Sequence, residues 1–111
     1  MHIEVNRHED VLVIRPSEAR IDAAVAAAFQ ARLRQEADGH EGRLVLDLSA
    51  VEFMDSSGLG VIVATHKHVI ACGGLTLAAP RDAVVRLLKL ARLDRIMTVA
   101  SELDDALISR S

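Results

Sequence analysis

The segment Arg43-Leu44-Val45-Leu46-Asp47-Leu48 constrains the fold of this chain more than any other. Four of its six residues are apolar, one of them β-branched, and it reads as a central strand. Helical patterns stand on both sides of it, so its connections are crossovers and its sheet is parallel or mixed. Before it, Asp22 is a natural N-cap for an Ala-rich run to about Ala37, in which Val25, Phe29 and Leu33 recur at spacings of four. Gly39 and Gly42 bound the polar loop between that helix and the strand. After it, a helix is expected from Ser56 to about Cys72, with Leu59, Ile62, Val63, His66 and Ile70 on one face and Gly73-Gly74 as its terminator.

The flanks complete the pattern. Ile3, Val5 and the run Val11–Ile14 surround polar Asn6–Asp10, which predicts a hairpin; Pro16 ends its second strand and Ser17–Ile21 is a loop. Leu75–Ala79 is a short strand, and Pro80 suits the first turn of a helix from Arg81 to about Ala91 carrying Val84, Val85, Leu87, Leu88 and Leu90. Leu93, Ile96, Met97 and Val99 form a last apolar segment compatible with a strand, and Leu103, Ala106 and Leu107 a short terminal helix. The expected order is ββαβαβα(β)α: one α/β domain over residues 1–111, a mixed four- to five-stranded sheet with about four helices.

Charge and residue types narrow the function. Basic and acidic side chains number 13 and 16 and are mixed along the chain, so no basic stripe offers a nucleic-acid footprint. The aromatics are Phe29 and Phe53 alone, which argues against base-stacking platforms. Cys72 is the single cysteine, so neither an internal disulfide nor a cysteine metal cluster is available, and it is expected to be ordinary packing. His66 and His68 point to different faces of one helix, and no other histidine pair has metal-ligand spacing. No metal or cofactor is expected. The N-terminal Met1–Arg7 has no signal-peptide pattern, and the longest nearly uncharged run, Leu59–Thr65, is too short to span a bilayer. A soluble cytoplasmic protein without membrane insertion is expected, with a protein as its partner.

Chemistry concentrates in Phe53-Met54-Asp55-Ser56-Ser57-Gly58-Leu59-Gly60, where an apolar extended segment enters a helix. Asp55 stands where an N-cap belongs, able to accept from the N–H of Ser57 or Gly58, with Met54 and Leu59 at hydrophobic-staple spacing. Ser56 and Ser57 then occupy the first turn, where backbone N–H groups lack intrahelical acceptors and a hydroxyl is accessible. Gly58 and Gly60 each cost a helix about 1 kcal/mol relative to Ala. They either permit close packing, the commoner reason, or leave room for another chain to approach Ser56. Ser56 is not a nucleophile elbow, because Met54 occupies the position that requires Gly. A small enzyme built on Asp22, Asp55 and Ser56 lacks a general base with an orienting group. On these residues alone the stretch reads as a helix cap.

The same residues, Phe53 to Val61, preceded by the strand Leu44–Leu48, resemble the signature of the STAS-domain anti-sigma factor antagonists. The resemblance continues through Gly73-Gly74-Leu75, Val85-Arg86-Leu87-Leu88 and Leu93-Asp94-Arg95-Ile96, and so spans essentially the whole chain. It implies a regulatory binding protein of bacterial signal transduction and transcription regulation, not an enzyme. In this family the serine after the motif Asp, here Ser56 with Ser57 as the fallback, is phosphorylated by an anti-sigma factor serine kinase of histidine-kinase-like fold. The unphosphorylated form binds that kinase and frees a sigma factor, and a metal-dependent serine phosphatase reverses the modification. Asp22, Asp55, Ser57, Gly58, Leu59 and Val61 are implied as the environment of the phosphorylated serine and its partner contacts. The helix beginning at Ser56 also offers Val61, Ala64, Thr65 or His68 to a partner. Where the family often has Gly-Glu-Leu before the first-helix Asp, this chain has Ala19-Arg20-Ile21. The alternative implied by the resemblance is a STAS scaffold subunit of a lipid transporter or sensory complex, with Ser56 structural.

Overall fold

The elements run β1 (Ile3–His8), β2 (Val11–Pro16), β3 (Arg20–Ile21), α1 (Ala23–Asp38), β4 (Leu44–Asp47), β5 (Phe53–Met54), α2 (Ser56–His68), β6 (Leu75–Ala78), α3 (Asp82–Leu90), β7 (Thr98–Ala100) and α4 (Leu103–Ile108) in a computed structural model that describes residues 1–108. The expected central strand, β4, is the middle member of a five-stranded sheet ordered β1-β2-β4-β6-β7. β1 and β2 form the antiparallel hairpin, and β2–β4, β4–β6 and β6–β7 are all parallel, joined in register through Ile14↔Leu46, Leu46↔Leu77 and Leu77↔Val99. The α/β class, mixed sheet and four helices among the described residues are those expected.

Strand alternation sorts the core into two unequal layers. Leu12, Ile14, Leu44, Leu46, Leu75 and Leu77 point to the face covered by α1, α2 and α3, where they meet Phe29, Leu33, Ile62 and Leu88. Val11, Val13, Val45 and Ala78 point to the opposite face, where α4 brings Ala106 with Leu103 and Leu107 beside it. Large side chains thus face three helices and smaller ones face a single short helix. Arg43, just before β4, donates to Ala106 O at 2.7 Å and Leu107 O at 3.2 Å and anchors that helix at its end.

The structure departs from expectation at five places. The loop 17–21 contains a strand: Arg20–Ile21 pairs in parallel with Phe53–Met54 as a separate two-stranded sheet, too short for side-chain alternation to announce it. Helix α2 stops at His68, and Ile70–Cys72 is a 3-10 turn closed by Gly73 and Gly74 at φ of 106° and 79°. Its buried face is Gly58, Val61, Ile62 and Thr65, rotated from the stripe Leu59, Ile62, Val63, His66 and Ile70, and Ile70 is 60% exposed. Cys72 is exposed rather than packed in the core. Pro80 lies outside α3, directly before the capping residue Arg81, whose Nε donates to Ser49 O at 2.9 Å.

The rotation of α2 has a local cause. A Cβ on Gly58 would sit 2.5 Å from Met54 Cγ and 3.0 Å from Ile21 O, so the missing side chain lets the first turn lie directly on β3 and β5. Residues three, four and seven positions further on then face inward by helical geometry. At the other end of α2, His66 Nδ1 accepts the Leu75 N–H at 3.0 Å, so this half-buried histidine is a structural tie to β6.

Candidate functional site

The two-stranded sheet is the frame of the site. Arg20 pairs with Phe53 and Ile21 with Met54; Ala19 O accepts from Glu52 N–H at 2.7 Å and Phe53 N–H at 3.0 Å, and Ile21 O accepts from Asp55 N–H at 3.2 Å. The residue after each strand is an aspartate in extended conformation, Asp22 at φ −124°, ψ −172° and Asp55 at φ −108°, ψ −172°. Asp22 caps α1 by accepting from Ala24 N–H at 3.0 Å. Asp55 caps α2 by accepting from Ser57 N–H at 2.9 Å and Gly58 N–H at 3.3 Å through the same Oδ1. Two helices therefore start side by side, each with a carboxylate at its positive end.

Ser56, the first residue of α2, is exposed, and its hydroxyl has no hydrogen-bond partner among the described residues. The cap is made by Asp55 and is independent of that hydroxyl. Ser57 is half-buried and its N–H is committed to Asp55. The two glycines divide between the two reasons considered for them. Gly58 is buried and required for packing, whereas a Cβ on Gly60 would meet nothing within 4 Å. Gly60 leaves open space one turn beyond Ser56.

Of the other expected partner-facing residues, Leu59 is half-buried at the rim of the core and His68 is exposed, where it meets Asp38 at 2.7 Å across α1 and α2. Ala64 is half-buried. Val61 and Thr65 are 4% and 1% exposed, so a partner cannot touch them in the folded chain. Thr65 instead donates its hydroxyl to Val61 O at 2.8 Å within the helix.

One feature of the site was invisible in the linear chain. The Arg20 guanidinium lies 4.3 Å from the centroid of the Phe53 ring, and its Nε is 3.8 Å from Asp22 Oδ2. Only knowledge of the β3–β5 pairing would have joined residues so far apart in sequence. A cavity of about 1050 Å³ lies elsewhere, lined by Val85, Leu88, Ile96 and Met97 among others, and neither Asp55 nor Ser56 borders it. The serine is exposed and outside this cavity, a setting that suits a macromolecular partner better than a small ligand. Among the described residues no group of three His, Cys, Asp or Glu side chains is arranged to hold a metal ion, and no helix is long and apolar enough to cross a membrane.

Comparison with known proteins assigns the chain as a whole. A STAS domain profile matches residues 2–106. The anti-sigma-F factor antagonist RsfB of Mycobacterium tuberculosis is 31% identical over 105 residues, covering 95% of this chain and 85% of RsfB. The anti-sigma F factor antagonist of Paenibacillus polymyxa is 31% identical over 101 residues, covering 89% of this chain and 86% of its own length. The crystal structure of an anti-sigma factor antagonist from Mycobacterium paratuberculosis superposes with a TM-score of 0.88 at 33% identity, covering 96% of this chain and 90% of that one.

Proposed function

The chain belongs to the STAS-domain family, and from that premise we propose that it is an anti-sigma factor antagonist switched by phosphorylation of Ser56. Unphosphorylated, it binds an anti-sigma factor serine kinase and releases the sigma factor that kinase holds. The kinase transfers phosphate from its own ATP to the Ser56 hydroxyl, and a serine phosphatase resets the switch. The chain is ligand and substrate in this cycle, not the catalyst, and works in the cytoplasm.

The observation that carries this reading is the exposed Ser56 hydroxyl beside a cap made entirely by Asp55. Phosphorylation there breaks no hydrogen bond of the fold. A phosphoserine brings about two negative charges to a helix N-terminus, which the helix dipole favours. Asp22 and Asp55 oppose it, so the two local terms offset one another and the fold survives. What changes is the surface: a neutral knob becomes an anion, and a partner fitted to the hydroxyl is repelled. Gly60 supports the same reading, because its open space admits the partner next to the serine.

The test is incubation with each histidine-kinase-like anti-sigma factor of the source genome and ATP, with the phosphate located by mass spectrometry. Ser56→Ala should abolish incorporation and Ser57→Ala should keep it. Incorporation into Ser56→Ala at the wild-type rate would move the site elsewhere. A wild-type chain that neither binds nor is phosphorylated by any of these kinases would favour the scaffold role.

A further inference from the structure

Phe53 is one of two aromatic residues in the chain, and the other, Phe29, is completely buried. Phe53 instead leaves 41% of its surface in solvent, three positions before Ser56, and covers part of the rest with the Arg20 guanidinium. Nothing in the core requires an aromatic ring there: Phe53 points away from the cluster that takes Met54. The arginine is 64% exposed, and its ion pair among the described residues is with Asp22 through Nε. Among the described residues its two terminal nitrogens have no carboxylate partner, and stacking holds the planar fork in one orientation before any partner arrives. Arginine and aromatic side chains held in this way are the residue types that carry binding energy at protein interfaces.

The surrounding charge says what the fork is for. The segments 17–22 and 52–56 contribute Glu18, Asp22, Glu52 and Asp55, and Arg20 is their single basic residue. These two segments are therefore acidic, with one positive point fixed among them. A partner complementary to this pattern is basic with one carboxylate opposite Arg20. A partner that is uniformly basic there meets a like charge, which is the repulsive element that separates a right partner from a wrong one.

We infer that the Arg20–Phe53 stack is the specificity-determining contact through which this chain selects its kinase, seated against a carboxylate in an otherwise basic surface of that kinase. The inference rests on Ser56 being the kinase's target and adds how the correct kinase is chosen.

The experiment uses the kinase that phosphorylates the wild-type chain. Arg20→Glu should raise both the Kd and the KM for that kinase by about 30-fold, the size of an interface hot spot, and leave kcat for Ser56 unchanged. Arg20→Lys keeps the charge without the fork and should fall between the two, as should Phe53→Leu, which removes the stack. Replacing the facing acidic residue of the kinase by Lys should restore binding of Arg20→Glu and weaken binding of the wild type. Melting curves identify any variant that fails to fold, and Arg20→Gln, which removes the charge without reversing it, replaces Arg20→Glu if needed. Wild-type Kd and KM in folded Arg20→Glu or Arg20→Gln and in Phe53→Leu would overturn the inference while leaving Ser56 as the target. Failure of the wild-type chain to bind or accept phosphate would instead overturn the reading beneath it.

Discussion

Asp22 and Asp55 are neighbours in register: each directly follows one member of the parallel pair Ile21↔Met54, and each caps a helix from the same extended conformation. The relationship brings the starts of α1 and α2 together and places the two capping aspartates at neighbouring positions.

The two caps should not be equal in weight. Asp55 serves two N–H groups in a part-buried setting, whereas Asp22 serves one in an exposed setting. Asp55→Ala is expected to cost about 1–2 kcal/mol and Asp22→Ala about 0.5–1 kcal/mol, within the known range for caps. Urea denaturation measures both, and Asp55→Ser should recover most of the larger loss.

The glycines should respond with opposite signs. Gly58→Ala pushes a methyl against Met54 Cγ and the carbonyl of Ile21, and overpacking costs of about 1–3 kcal/mol exceed the helix-propensity gain of about 1 kcal/mol. Gly60→Ala meets no neighbour, so it should stabilise the fold by up to about 1 kcal/mol. If the open space admits the kinase, Gly60→Ala should also weaken kinase binding. Denaturation midpoints and titration against the kinase separate the two effects.

Charge at Ser56 should alter binding without altering the fold. In Ser56→Asp the new carboxylate gains from the helix dipole and loses to Asp22 and Asp55, so stability should stay within about 1 kcal/mol of wild type. Kinase affinity should drop sharply. Thermal melting together with a binding titration checks both, and unimpaired binding would remove the charge-switch reading.

His40 should prove structural. It is 8% exposed, and its Nε2 lies 3.0 Å from both Asp10 O and Arg43 O, so the Nε2–H tautomer donates to both and ties the β1–β2 turn to the start of β4. Its Nδ1 is buried without a hydrogen-bond partner among the described residues. His40→Ala should cost about 1–3 kcal/mol, the penalty of leaving buried acceptors unpaired. Hydrogen exchange should quicken at the β1–β2 turn, and a response confined to α1 would contradict this role.

Much of the fold was legible because local chemistry carried it. The apolar run Leu44–Leu48, the Ala-rich run behind Asp22 and the Gly73-Gly74 stop each act over a few residues, and each lies in or beside the expected element. The same holds for Asp55 as a cap, since a cap is a bond between a side chain and the backbone two or three residues on. Histidine roles were less visible. His40 and His66 look alike in sequence, yet one bridges two carbonyls and the other receives an N–H from β6, through partners that only folding supplies.

Ser56 illustrates the division. Its place in the first turn of a helix behind an Asp cap follows from Asp55-Ser56-Ser57-Gly58, a short-range pattern that needs no tertiary contact. Its surroundings do not follow from that pattern. The pairing of Arg20–Ile21 with Phe53–Met54 joins segments more than thirty residues apart through strands of two residues each, too short to have any periodicity of their own. That pairing sets Asp22 beside Asp55, stacks Arg20 on Phe53 and makes Gly58 obligatory, and through Gly58 it sets the rotation of α2 that buries Val61 and Thr65. Local hydrogen bonding could specify where the serine sits along the chain; only long-range backbone pairing could specify what stands beside it.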